Sequence, residues 1–155
     1  MLNKVVSYTE IAELCKSEEG IEQLKNYVKE VAEIIGGYTL DFINDATFTI
    51  EEYELIKKRL TGCVMYLNPI LSYAETIKRN IKLAKFVELR DSYMPKNDKD
   101  KFVASSADNE AELFVASFRE VRNMTEGYIK SAESGIYTCK DKMAEKKKEV
   151  INSQE

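Results

Sequence analysis

Lys78, Lys82 and Lys85 recur at steps of four and three, so on a helix they share one face, with Arg79 beside them and Arg90 further along. A row of cations at that pitch suits phosphates, because each neutralises one anionic group and releases its counterion. Tyr66, Tyr73, Phe86 and Tyr93 are interleaved with the same stretch. Charge combined with flat aromatic rings is the mixture that holds a single strand by backbone contacts and base stacking. The competing reading is a solvated lysine face whose aromatics belong to a helix seam.

No other chemistry is assembled in the chain. Acid–base or metal catalysis needs ligands that converge, but histidine is absent and the carboxylates are scattered over helix surfaces. Glu51, Glu52 and Glu54 do cluster, and a position in the first turn of a helix explains them through the dipole. Gly36-Gly37 lacks the lysine and the following Ser/Thr of a phosphate loop. Cys15, Cys63 and Cys139 are odd in number and far apart, which reads as reduced core thiols and leaves no zinc site. The expectation is a protein that is not an enzyme and carries no cofactor.

The lysine row is carried by the longest regular pattern in the sequence. Tyr53, Ile56, Leu60, Cys63, Leu67, Ile70, Ala74, Ile77, Ile81 and Ala84 alternate steps of three and four, an a/d heptad seam. Thr49 and Glu52 have capping-box spacing at its start, and Met94-Pro95 ends it. Pro69 lies inside this rod but off the seam, so a bend near Asn68 is expected without loss of register. A polar loop over 95–105, including Lys96-Asn97-Asp98-Lys99-Asp100-Lys101, leads to Ser105 and Asp108, which read as a new helix start. A second seam follows in Ala111, Phe114, Phe118, Val121, Thr125, Tyr128, Ala132, Gly135 and Cys139. Two rods joined by so short a loop predict an antiparallel hairpin. Setting Ala84 opposite Ala111 brings Lys57, Lys58 and Arg59 near Lys140 and Lys142, a second basic cluster at the hairpin base.

The N-terminal segment supplies cover for this hairpin. Ser7 and Glu10 start a short helix through Lys16, and a second begins at Ser17 with Ile21, Leu24, Val28, Val31, Ile34 and Ile35 on one stripe. Gly36-Gly37 is expected to stop it, leaving Tyr38 to Phe48 as an irregular apolar connector. The reading is thus all-α: a long, coiled-coil-like antiparallel helical hairpin over 49–145 with an acidic N-terminal helical segment, 1–48, packed on it, and a frayed tail over 146–155. Rods of this length also predict homo-oligomerisation.

Charge and composition bound the partners. With 155 residues, 44% apolar and 32% charged, the chain suits one domain, and its apolar runs are too interrupted to cross a membrane. The N-terminus MLNKVVSYTE has no signal-peptide core, so a cytoplasmic protein without membrane partners is expected. Net charge is −4, yet residues 1–56 carry four Lys/Arg against twelve Asp/Glu, and the remainder nineteen against fifteen. Such a split suits a basic surface partly screened by an acidic segment, or plain solubility.

The run Lys82-Leu-Ala-Lys85-Phe-Val-Glu-Leu-Arg90-Asp91-Ser-Tyr93, followed by a polar loop and by Ser106-Ala107-Asp108 opening a helix that ends at Cys139-Lys140, resembles the phage recombination-mediator family (UvsY-like) over about residues 60–145. That resemblance implies a small helical protein that oligomerises, binds single-stranded DNA and helps a recombinase displace single-strand-binding protein in DNA recombination. It implies that Lys82, Lys85 and Arg90, with Tyr93, contact DNA; Lys78 and Arg79 complete the candidate nucleic-acid-binding set. It also implies that Phe118, Val121, Tyr128 and Ile136 carry oligomerisation. The chain departs from the family in its acidic N-terminal third and its loop. The alternative is a helical adaptor or inhibitor acting only through protein contacts.

Overall fold

The computed structural model describes residues 6–44, 46–95 and 100–152. Within them the chain forms α1 (Tyr8–Leu14), α2 (Glu18–Ile43), α3 (Ile50–Asp91), α4 (Ala104–Phe114) and α5 (Ala116–Asn152), with no strand among the described residues. Hydroxyl caps open the first three helices. Ser7 accepts from the Glu10 N–H at 3.2 Å and Ser17 from the Gly20 N–H at 3.1 Å. Thr49 and Glu52 close a full capping box, with bonds of 3.2 and 2.7 Å, as their spacing predicts.

α3 and α5 form the antiparallel hairpin. Leu60 lies against Gly135, Glu75 meets Arg122 at 3.2 Å and Lys82 meets Glu112 at 2.9 Å, which is the register that sets Ala84 opposite Ala111. α2 packs chiefly on α5, to which Lys25 is tied by an ion pair with Glu120, and α1 tucks against α2 and α3. The core between them holds Ile11, Leu24, Val28, Leu60, Leu67, Ile70 and Val121, all essentially inaccessible. Burying such side chains contributes about 1.5–3 kcal/mol each, which is what the amphipathic stripes provide. The α3 seam is buried from Tyr53 to Ala74, half-buried at Ile77 and Ile81, and exposed at Ala84. The last turns of α3 therefore leave the main core and are flanked by α4.

The expected stop at the glycine pair is corrected. Gly36-Gly37 does not stop α2, which runs on to Ile43. Tyr38 and Phe42 extend the buried stripe by steps of three and four beyond Ile35, and their packing offsets the roughly 1 kcal/mol per glycine that helix propensity costs. Tyr38 also accepts from the Arg59 guanidinium at 2.7 Å, and Phe42 meets the edge of Phe48. Pro69 sits inside α3, which remains one helix.

The second rod is divided. α4 starts at Ala104, so its N-cap is Val103, whose apolar side chain can make no capping bond, and Ser105 falls inside the helix with Asp108 on Lys82 instead of in a capping box. At Val115 the backbone leaves the helical region (φ −100°, ψ 16°), so Val115 is buried and Phe114, expected in the seam, is 60% exposed. The Glu112 carbonyl near this break accepts from Arg119 Nη2 at 3.0 Å, satisfying an acceptor at the helix end. α5 then runs to Asn152, past the expected fraying point at Lys146, because Met143 is still buried and the Lys/Glu-rich last turns are good helix formers. The loop residues Lys96 to Lys99 and the tail residues 153–155 lie outside the described residues.

Candidate functional site

Lys78, Arg79 and Lys82 of α3 line an open groove of about 410 Å³ between α3, α4 and α5, together with Glu75, Glu112 and Arg122. Four cations there face two carboxylates. Lys78, Arg79 and Lys82 share the face because of their helical spacing, and α5 adds Arg122, whose guanidinium is shared between Glu75 at 3.2 Å and Glu126 at 3.0 Å. Arg79 is exposed and has no ion-pair partner among the described residues.

The lysines are not free. Lys82 is held by Asp108 and Glu112, both at 2.9 Å, and Lys78 lies 3.6 Å from Glu112. Glu112 also receives Arg119, so one carboxylate gathers three cations. Its carboxyl is held below the usual range, first by the Lys82 hydrogen bond and then by the nearby Lys78 and Arg119 charges, against the effect of burial. Lys82 is raised by the hydrogen bonds it donates to Glu112 and Asp108. Lys85 points elsewhere: it pairs with Glu88 at 2.9 Å and sits 5.3 Å from the Phe114 ring centre. Arg90 pairs with its neighbour Asp91 at 2.8 Å. Tyr93 stands edge-on to Phe102, which in turn meets Phe86, so an aromatic trio forms at the hairpin tip.

Comparisons with protein-family models, with curated proteins and with solved structures give no match. The site alone therefore carries the functional argument.

Of the candidate binding residues, Lys78, Arg79 and Lys82 come together in the groove, whereas Lys85, Arg90 and Tyr93 lie beyond it. Arg119 and Arg122 were not singled out by the lysine spacing; the signal for them was the hairpin register, which sets Arg122 beside Glu75 and Glu112 beside Lys82. Phe118 and Val121 are buried in the chain's own core and Tyr128 and Ile136 pack against it, so most of their surface is already covered within one chain. At the hairpin base, Lys57 pairs with Glu54 at 2.7 Å, Lys140 lies over the Tyr137 ring and Lys142 pairs with Glu145 at 3.0 Å. Burial pushes the Cys15 thiol up to about 11 and raises Cys63 and Cys139, so all three are inert thiols at neutral pH. Among the described residues no group of three His, Cys, Asp or Glu could hold a metal ion, and no helix is long and apolar enough to cross a membrane.

These ion pairs give an acid limit to stability. Glu54, Glu112 and Glu126 are each held below the usual carboxylate range, chiefly by hydrogen bonds from Lys57, Lys82 and Lys130 respectively. A depressed carboxyl contributes stability that is complete above its unfolded value of roughly 4.3 and is lost as pH falls through the lower folded value. Thermal melts should therefore hold level down to about pH 5 and fall below about pH 4, with added salt reducing the difference. A flat profile across that window would show that these pairs contribute nothing to folding.

Proposed function

We propose that the protein is a non-enzymatic accessory that binds single-stranded nucleic acid, with the groove between α3 and α5 as its phosphate contact. The observation that supports this most directly is the gathering of Lys78, Arg79, Lys82 and Arg122 in that groove, where Glu75, Asp108, Glu112 and Glu126 pair with three of them and Arg79 stays exposed without an ion pair among the described residues, on a chain whose net charge is −4. Concentrating positive charge where the whole is acidic favours an anionic partner at that face. Phe86, further along α3, and Tyr93, just past its end, meet Phe102 of the returning chain at the hairpin tip, where bases could stack. The resemblance to the phage recombination mediators points the same way, and with it comes the proposal of a homo-oligomer that assists a recombinase or displaces single-strand-binding protein.

The test is binding of an oligothymidylate, followed by fluorescence anisotropy at several salt concentrations. Lys82→Glu with Lys85→Glu should abolish binding, but Lys82 also holds α4, so the cleaner variant is Arg79→Glu, which breaks no ion pair among the described residues. It should weaken binding about ten-fold and lower the salt slope by roughly one. Wild-type affinity in both variants would remove the groove from the binding site.

A second reading, a helical adaptor acting through protein contacts alone, is favoured by Leu113 and Phe114, two large apolar side chains left 76% and 60% exposed at the end of α4. Failure to bind any single strand at low salt, together with stable capture of a protein partner, would favour it.

A further inference from the structure

We propose that α4 is an internal competitor for the cationic face of α3: Asp108 and Glu112 occupy Lys78 and Lys82 until a phosphate-bearing strand displaces the helix. The inference rests on reading the groove as a single-strand site and names the regulation of that site. Three independent observations carry it.

The first is charge. α4 contains Asp108, Glu110 and Glu112 and no basic residue. Asp108 and Glu112 are four positions apart, so they share one face of α4 and their carboxylates converge on the Lys82 ammonium. Both reach Lys82 at 2.9 Å, and Glu112 also reaches Lys78 and Arg119. A strand entering the groove would need the same cations, so the two ligands exclude one another.

The second is how lightly α4 is held. Only Ala107 and Ala111 are buried in it, the smallest apolar side chains available, while its two largest, Leu113 and Phe114, are exposed. Beyond these, α4 is held by the Arg119 bond to the Glu112 carbonyl, by Lys85 over the Phe114 ring and by partly exposed ion pairs, which contribute little and weaken with salt. α3 itself is anchored upstream, by the core that runs from Tyr53 to Ala74, and the turns that bear Lys78 and Lys82 continue from it.

The third is the pair of joints. Val103 caps α4 without a side-chain bond, and Val115 is non-helical, so both ends of α4 can turn without breaking α5. Arg119, which clasps the Glu112 end, keeps its Nε buried without a hydrogen-bond partner.

The test compares the full chain with an Asp108→Asn, Glu112→Gln variant, which keeps the side-chain shapes and removes the competing charge. Hydrogen exchange of the α4 amides and anisotropy with oligothymidylate are read on both proteins. The variant should exchange its α4 amides at least about ten-fold faster, with the α3–α5 core unchanged, and bind the oligonucleotide about ten-fold more tightly. Oligonucleotide added to the wild type should likewise speed α4 exchange. Equal affinity in both proteins with α4 unmoved overturns the competitor role and leaves the groove as a binding site. No binding to either protein overturns both.

Discussion

Leu67→Ala should lower the stability of the protein by about 3 kcal/mol, within the roughly 2–5 kcal/mol that a buried leucine truncation costs. Leu67 is inaccessible in the middle of the α3 seam, at the level where the N-terminal helices, α3 and α5 form a single core. Truncation forfeits the transfer of the lost carbons and leaves a void that three long helices cannot close without shifting their register. For a chain of this size that corresponds to a fall in Tm of about 6–12 °C. Met65, two residues away and 70% exposed, is the control; Met65→Ala should change stability by less than about 0.5 kcal/mol. Calorimetry or urea unfolding decides the matter, and a Leu67→Ala cost no larger than that of Met65→Ala would mean the heptad seam is not the core.

Alanine in place of glycine should act in opposite directions along α2. At Gly20 an added Cβ would stand 2.1 Å from the Leu14 carbonyl oxygen, which is backbone and cannot rotate aside. Relief requires α1 to move off α2, loosening Ile11 and Cys15, so Gly20→Ala should cost about 2–3 kcal/mol as an overpacking substitution. At Gly36 and Gly37 nothing lies within 4 Å of the added carbon, and alanine should stabilise the helix by about 0.5–1 kcal/mol at each. Gly135 falls between: its Cβ would meet Leu60 Cδ1 at 2.7 Å, a methyl that can swing away. The ordering Gly20 below Gly135 below Gly36 in chemical denaturation is the expected result. Gly20→Ala with wild-type stability would show that α1 does not seat on α2 as described.

The candidate site divides along the same lines. That Lys78, Arg79 and Lys82 share a face is a matter of helical pitch, and it is readable from spacing alone. What they face is not. The hairpin register already placed Glu112 beside Lys82, but which acids come within 4 Å depends on the break at Val115, and nothing in the run around it resembles a helix stop. The aromatic residues Phe86 and Tyr93 were visible as a pair, whereas Phe102 joins them only because the chain returns at the hairpin tip.

By itself the sequence determined the all-helical class, the capped starts at Ser7, Ser17 and Thr49, and the antiparallel register in which Leu60 meets Gly135. These are periodic or near-neighbour properties, set by which side chains recur on one face and which hydroxyl can reach an amide three residues on. Only the tertiary structure decided that α2 continues through Gly36-Gly37, that Val115 replaces Phe114 in the core, that Phe118 and Val121 are used within one chain, and that Asp108 joins Glu112 on Lys82. The physical reason is common to all four. Periodicity states that a face must be covered, while the identity of the cover is chosen by distant residues whose packing and charge outweigh local propensity by a kilocalorie or so.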